Sequence, residues 1–243
     1  MRSVKNITLF VQCLVDGLYP EVGEAMMTLF HRLGIQVNCP MDQTCCGQPA
    51  FNAGYQKAAR VAARRFIEIF EDWEWIVCPS GSCVNMVKNH YPDLFKNDTK
   101  WAKRARQVGE RTFELSQFLV NILGVVDMGA VYDGKITYHD SCHLLRGLGV
   151  GEQPRRLIKH VQGVELVEMK DSDRCCGFGG TFSVKYPDIS TAMVDDKIRN
   201  IIASGADTVT GCDISCLMNI QGRLSRMESP IKVLHIAQLL AGE

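Results

Sequence analysis

The sequence predicts an α/β protein of two duplicated lobes, each a small parallel sheet flanked by helices and related to the other by an approximate two-fold axis. Three observations carry that expectation. Short β-prone apolar runs alternate with amphipathic helical stretches, as in parallel βαβ units. A set of cysteines occurs twice at a nearly constant offset. The order of strands and helices repeats together with the cysteines, the signature of an internal duplication.

Residues 6–12 form a buried apolar run, the first strand. Val22, Ala25, Met26, Leu29, Phe30 and Leu33 then recur at helical spacing over residues 21–33, and Gly34 ends the helix. Residues 35–39 are short and β-prone. The Cys45-Cys46-Gly47 loop, with Pro49 and Gly54 after it, breaks the chain before a helix over 56–70 and a strand over 75–78. The second half repeats the order with a strand over 135–138, a helix near 154–161, a strand over 164–168, a helix near 190–204 and a strand over 207–210. Each half closes on a similar helical segment, FELSQFLVNILG and LHIAQLLAGE. The expected lobes are 1–125 and 126–243.

The cysteines read Cys13-x31-Cys45-Cys46-x36-Cys83 and then Cys142-x32-Cys175-Cys176-x39-Cys216. Each matched cysteine falls at or just beyond a strand end, where the loops of α/β folds gather in one crevice. Two four-cysteine sites are expected. Of the 11 cysteines, Cys39, Cys78 and Cys212 have no counterpart. Cys39 is expected to be a buried apolar residue. Cys78 and Cys212 lie near the sites, yet they are not equivalent to one another, so neither is expected to be an essential ligand.

Composition narrows the chemistry. The 243 residues carry 27 basic and 27 acidic side chains, which argues against nucleic acid as a partner. The longest apolar stretch, 118–132, is cut by Asn121, Gly124 and Asp127, too short for a transmembrane segment. The N-terminal MRSVKNITLFVQC has two basic residues before an apolar run but no small-residue cleavage site. With an odd cysteine count and no export signal, the thiols are expected to be reduced and the protein cytoplasmic.

Thiolates are soft ligands that select zinc, copper(I) and iron-sulfur clusters. Burial alone does not duplicate a pattern. Structural zinc favours knuckles with two to four intervening residues, whereas the close pair here is adjacent. An adjacent pair needs a turned backbone to face one cofactor, and Gly47 and Gly177 can supply it. A cluster with several metal corners accepts such a pair more readily than one zinc ion. Zinc in one lobe stays the competing reading.

The two blocks, with CCGQPAFNAGY in the first half and CCGFGGTFSVKYP and SCLMNIQG in the second, resemble the cysteine-rich CCG domain family over essentially the whole chain. That family includes the heterodisulfide reductase B subunit and iron-sulfur subunits of glycolate, glycerol-3-phosphate and lactate oxidising systems. The likeness is strongest to the small component of three-part L-lactate utilisation systems, whose other parts carry further clusters. The resemblance implies up to two iron-sulfur clusters, of 4Fe-4S type, on Cys13, Cys45, Cys46 and Cys83 and on Cys142, Cys175, Cys176 and Cys216. It implies an electron-transfer subunit of an L-lactate oxidoreductase, partnered by other iron-sulfur subunits. The full family motif ends C-x-x-C and supplies five cysteines, but here Met86 and Asn219 occupy the last place. That departure favours four-thiolate electron transfer over disulfide cleavage. A heterodisulfide-reductase-like catalytic subunit and a zinc-stabilised binding module are the alternatives.

The halves differ in polarity. His139, Asp140 and His143 flank Cys142 where the first half has Phe10, Gln12 and Leu14. A histidine beside a cluster cysteine can donate to sulfur or relay protons, while a His-Asp pair can also simply cap a loop. Arg146 and Lys185 are expected to be solvated surface. Phe178-Gly179-Gly180 lacks the remainder of any nucleotide fingerprint and is expected to let the backbone wrap a cluster. No flavin, pyridoxal or nicotinamide signature is evident, so the chain is not expected to oxidise lactate alone.

Overall fold

The computed structural model describes residues 4–242. The first lobe begins with β1 (Asn6–Leu9), in which Ile7, Thr8 and Leu9 are buried in succession, as a strand covered on both faces requires. Two helices follow, α1 (Cys13–Leu18) and α2 (Pro20–Arg32). Proline opens α2, and Val22, Ala25, Met26, Leu29 and Phe30 bury one face of it. The chain continues through β2 (Gln36–Asn38), α3 (Gln48–Asn52), α4 (Gln56–Phe70) and β3 (Ile76–Cys78). Next comes α5 (Gly81–Asn85), which widens into a π turn over Met86–His90, then α6 (Tyr91–Leu94), α7 (Thr99–Glu110) and β4 (Thr112–Glu114). A short α8 (Leu115–Gln117) passes into a second π turn over Phe118–Leu123.

The second lobe comprises β5 (Val131–His139), a π turn over His143–Gly147, α9 (Glu152–Ile158), β6 (Gln162–Leu166), α10 (Phe182–Lys185), α11 (Pro187–Ala203), β7 (Thr208–Gly211), α12 (Ile214–Arg226), β8 (Lys232–His235) and α13 (Ile236–Ala241). Its sheet has the order β6-β5-β7-β8, matching β2-β1-β3-β4 in the first, and every pairing is parallel. The predicted α/β architecture of two similar lobes is therefore what the chain adopts.

Differences from the sequence expectation are local. The first strand stops at Leu9, because Gln12, three residues on, accepts the Leu14 N–H and caps α1, which starts at Cys13. The closing segment of each half is strand before it is helix: Glu114 ends β4 and accepts the Gln117 N–H, and His235 ends β8 and accepts the Ala237 N–H. A strand of three or four residues whose last member caps the next helix has no period of its own to read.

The lobes share one core. Ile7 and Leu9 of the first sheet, Ile136 and Tyr138 of the second, and the apolar faces of α2 and α13 belong to a continuous buried cluster. Arg32 at the end of α2 donates to the carbonyls of Met128 (2.7 Å) and Ala241 (3.0 Å). At the centre, Ser80 and Asp213 pair in an antiparallel bridge. Under the offset that carries Ser82-Cys83 onto Ser215-Cys216, these two residues are each other's counterparts. A position that meets its own counterpart marks the local two-fold axis.

Candidate metal centres

Helix starts position the isolated cysteines. Cys13 is the first residue of α1, Cys83 lies in the first turn of α5, and Cys216 lies in the first turn of α12. Cys142 precedes the π turn over His143–Gly147. Ser80 caps α5 by accepting the Cys83 N–H (3.3 Å), and Asp213 caps α12 by accepting the Ser215 N–H (3.3 Å). The sequence reading did not single out this pair, although a Ser or Asp three residues before a helical cysteine is itself a capping signal.

The adjacent pairs are turned by glycine. Gly47 has φ +82° and Gly177 φ +83°, and each N–H donates to the first sulfur of its pair, Cys45 or Cys175, at 3.4 Å. A Cβ on Gly47 would lie 2.9 Å from Ala62 Cβ, and one on Gly177 would lie 2.7 Å from the Ser190 carbonyl. Glycine is therefore required twice over, by conformation and by the approach of α4 or α11. Tyr91 OH donates to the Cys46 carbonyl and Asn219 Nδ2 to the Cys176 carbonyl, both at 2.8 Å. Asn219, in the place of the missing fifth cysteine, thus holds the loop instead.

In each lobe the four cysteines that match in sequence come together. Cys46 Sγ and Cys83 Sγ are 3.4 Å apart, and Cys13 and Cys45 adjoin them. Cys142, Cys175, Cys176 and Cys216 form the same chain of contacts. Hydrogen bonds from Cys13 and Cys46 bring the Cys45 thiol down to about 3, and those from Cys46 and Cys78 bring Cys83 down to about 5. In the second set, Cys142 and Cys176 lower Cys175 to about 2, and Cys176, helped by His139, lowers Cys216 to about 7. The partner thiols Cys13, Cys46, Cys142 and Cys176 are pushed up correspondingly. The shifts thus alternate along each set, down at Cys45 and Cys83 and at Cys175 and Cys216, up at the thiols between them.

Four convergent sulfurs and buried, unsatisfied donors beside them suit a group that has acceptor atoms of its own. Gln12 Nε2 and Ser141 Oγ are buried without a partner, and each lines the cavity of its own set. These two residues precede Cys13 and Cys142, so the same vacancy in hydrogen bonding recurs in both lobes. The first set opens on a cavity of about 180 Å³ and the second on one of about 50 Å³. The cavities share Gln48, Ser82, Phe178, Gly180, Asp213 and Ser215 as walls. Asp213 accepts from Ser82 N–H (2.8 Å) in the first lobe and from Ser215 Oγ–H (2.6 Å) in the second.

The unmatched cysteines go to three different places. Cys78 is buried against Cys83. Cys212 points away from the second set, where its sulfur accepts from Tyr138 OH at 3.3 Å, with Ser116 and Glu114 beside it. Cys39, expected to be buried, is exposed. It follows β2 at the edge of the sheet, and its sulfur accepts from Gln43 Nε2 (3.3 Å) in an open loop.

Of the two readings of the histidine beside Cys142, the His-Asp pair does not form. Asp140 is engaged by both terminal nitrogens of Arg155 (2.7 and 2.9 Å) and by Ser172 Oγ–H (2.7 Å). Burial pushes its carboxyl up, but these partners outweigh burial and hold it below its ordinary value. His143 faces across the lobes, its Nδ1 3.5 Å from Gln48 Nε2 and 4.0 Å from Cys142 Sγ. Arg146 and Lys185 are exposed, as expected. Among the described residues, no helix is long and apolar enough to cross a membrane.

Comparison with known proteins agrees with this duplicated layout. The CCG cysteine-rich domain matches residues 7–88 and again residues 136–221. Lactate utilization protein A of Exiguobacterium sp. is 51% identical over 237 residues, covering 97% of this chain and 96% of its own. Proteins of the same name from Anoxybacillus flavithermus and Bacillus subtilis are 52% and 49% identical over 235 residues, covering 97% of this chain and 98% of theirs. Among solved structures, an ABC transporter solute binding protein from Agrobacterium vitis covers 96% of this chain and 76% of its own at 11% identity. Its TM-score of 0.29 is too low to carry an argument. With both halves matched at the loops that gather the cysteines, the chain belongs to the CCG cysteine-rich domain family.

Proposed function

We propose that this chain is an electron-transfer subunit of a multi-subunit oxidoreductase that converts L-lactate to pyruvate in the cytoplasm. It holds two 4Fe-4S clusters, one on Cys13, Cys45, Cys46 and Cys83, the other on Cys142, Cys175, Cys176 and Cys216. The observation that supports the reading is the common wall between the two sulfur sets, whose cavities share Gln48, Ser82, Asp213 and Ser215 next to one buried core. Full-length likeness to proteins named for lactate utilisation supports the substrate. Other iron-sulfur subunits of the same system are the partners.

When bound, the clusters supply one-electron storage at thiolate-ligated iron. The chain's own residues do the remainder. Burial of Cys46, Cys83, Cys176 and Cys216 keeps water from the sulfurs. The N–H groups of Gly47 and Gly177 and the free donors of Gln12 and Ser141 stabilise added negative charge, which raises reduction potential. Lactate-derived electrons enter from a partner subunit.

The test is metal and sulfide analysis of anaerobically purified protein, followed by lactate-dependent dye reduction with and without the partner subunits. Iron with labile sulfide, and turnover only in the assembled system, is the expected result. Stoichiometric zinc without sulfide, or robust lactate oxidation by the isolated chain, refutes the reading.

A further inference from the structure

The two sulfur sets match in their cysteines and differ in one neighbour. In the first lobe, Phe10 follows β1 and packs on Phe66 with ring centroids 4.8 Å apart. The second lobe places His139 there. Ala59 and Ala62 flank Gly47 as Ser190 and Met193 flank Gly177, a constant offset of 131 residues, which also puts Lys197 in the place of Phe66. Lys197 turns aside, donating to the carbonyls of Asp171 (2.8 Å) and Ser172 (2.9 Å). His139 is left facing the sulfurs. It is 1% exposed, and neither ring nitrogen meets a partner at hydrogen-bonding geometry, although the ring lies close enough to Cys216 to lower its thiol. One ring nitrogen and the sulfurs of Cys176 and Cys216 all lie within 4.8 Å of one another.

A buried imidazole with both nitrogens unpartnered is costly unless something absent from the chain satisfies it. Asp140, the nearest carboxylate in sequence, is already taken by Arg155 and Ser172. The register of the sheets shows how room for the ring is made. His139 pairs with Gly211 on β7, and the position matching Gly211 in the first lobe is Cys78, since Cys78 pairs with Glu114 as Gly211 pairs with His235. Each lobe therefore brings one extra soft or borderline donor to its cysteine set, from adjacent strands: a thiol on β3 in the first lobe, an imidazole on β5 in the second.

Resting on the cluster reading above, we infer that His139 is a direct iron ligand of the second site, through a neutral ring nitrogen, so that the duplicated protein holds one all-thiolate centre and one mixed thiolate-imidazole centre. Imidazole binds iron readily, and as a neutral donor added beside the four thiolates it brings no further negative charge to the centre, whereas the corresponding extra donor of the first lobe, Cys78, is a thiol.

The experiment uses the full chain with Cys45→Ser and Cys46→Ser to disable the first site, reconstituted anaerobically with 57Fe and sulfide and labelled with 15N-histidine. Mössbauer spectra resolve a minority iron subsite distinct from the thiolate-bound ones, and pulsed EPR of the reduced protein shows a directly bonded histidine nitrogen. Both signatures vanish in His139→Phe, which copies the first lobe. In His139→Cys iron is retained and the nitrogen coupling is lost. Iron and sulfide present with no bonded nitrogen, or a coupling that survives His139→Phe, overturns the ligand assignment alone. Absence of iron and sulfide from the second site overturns the cluster reading and this inference together.

Discussion

Glu114 and His235 occupy matching positions at the ends of β4 and β8, both are buried, and burial drives their protonation in opposite senses. Glu114 rises from near 4.5 to about 7, because burial outweighs the hydrogen bonds that one carboxylate oxygen accepts from Ser116 and from Gln117 N–H, while the other oxygen has no partner. His235 falls from near 6.5 to about 4. It is satisfied as a neutral ring, with Nε2–H donating to the Pro79 carbonyl (3.0 Å) and Nδ1 accepting the Ala237 N–H (3.1 Å). A raised carboxyl contributes stability below its unfolded value and loses it as pH rises through about 7. A depressed histidine contributes above its unfolded value and loses it as pH falls through about 4. Between pH 4.5 and 6.5 the two slopes, each about 1.4 kcal/mol per pH unit, oppose and cancel. Glu114→Gln removes one slope, so that stability falls by about 2 to 3 kcal/mol on acidification across that window. His235→Asn produces the reverse, a loss of similar size as pH rises. Urea unfolding of reduced, cofactor-free protein at three pH values reads both. Equal pH slopes in the wild type and both variants would refute the reasoning.

Other substitutions isolate single contacts. Gly47→Ala, forced to a positive φ against Ala62, should cost about 2 kcal/mol and lower iron uptake at the first set only, with Gly177→Ala as the mirror experiment on the second. Asp213→Ala strips the acceptor from Ser82 N–H and Ser215 Oγ–H and should lower stability by about 2 to 4 kcal/mol, measured as a shift in the unfolding midpoint. Cys212→Ser should leave iron content at the wild-type level, because its sulfur faces Tyr138 and Ser116, whereas Cys216→Ser should empty its site. Iron analysis of the two variants side by side decides this. Tyr91→Phe should cost about 1 kcal/mol through the lost bond to the Cys46 carbonyl, seen in denaturant unfolding without loss of sulfur ligands.

Much of the architecture is legible in the residues, for identifiable reasons. The helix over 56–70 is visible because Ala59, Ala63, Phe66, Ile67 and Phe70 repeat at helical spacing, and the structure ends it at those residues. The duplication is visible because cysteines and glycines are constrained one by one. The fourth strand of each sheet is not, because Glu114 and His235 serve as strand end and helix cap at once. Cys39 misleads because a lone thiol carries no period, and its burial depends on whether a loop folds over the sheet edge. Asp140 and His139 look like a pair in sequence, yet successive residues leaving a strand point to opposite sides. Arg155, which claims Asp140, comes from a helix that no local pattern connects to it.

The bridge between Ser80 and Asp213 has a consequence for how two such lobes can be assembled. In a symmetric dimer of separate chains, a residue on the axis confronts an identical copy of itself. Two aspartates there would bury like charges face to face, and two serines would leave Ser82 N–H and Ser215 without a carboxylate. Joining the lobes in one chain lifts that self-complementarity, so that one copy becomes the hydroxyl and the other the acid. The same freedom reaches the sulfur sets, where Phe10 and His139 have diverged. Covalent linkage, beyond raising the local concentration of one lobe near the other, permits two copies of a site to be different.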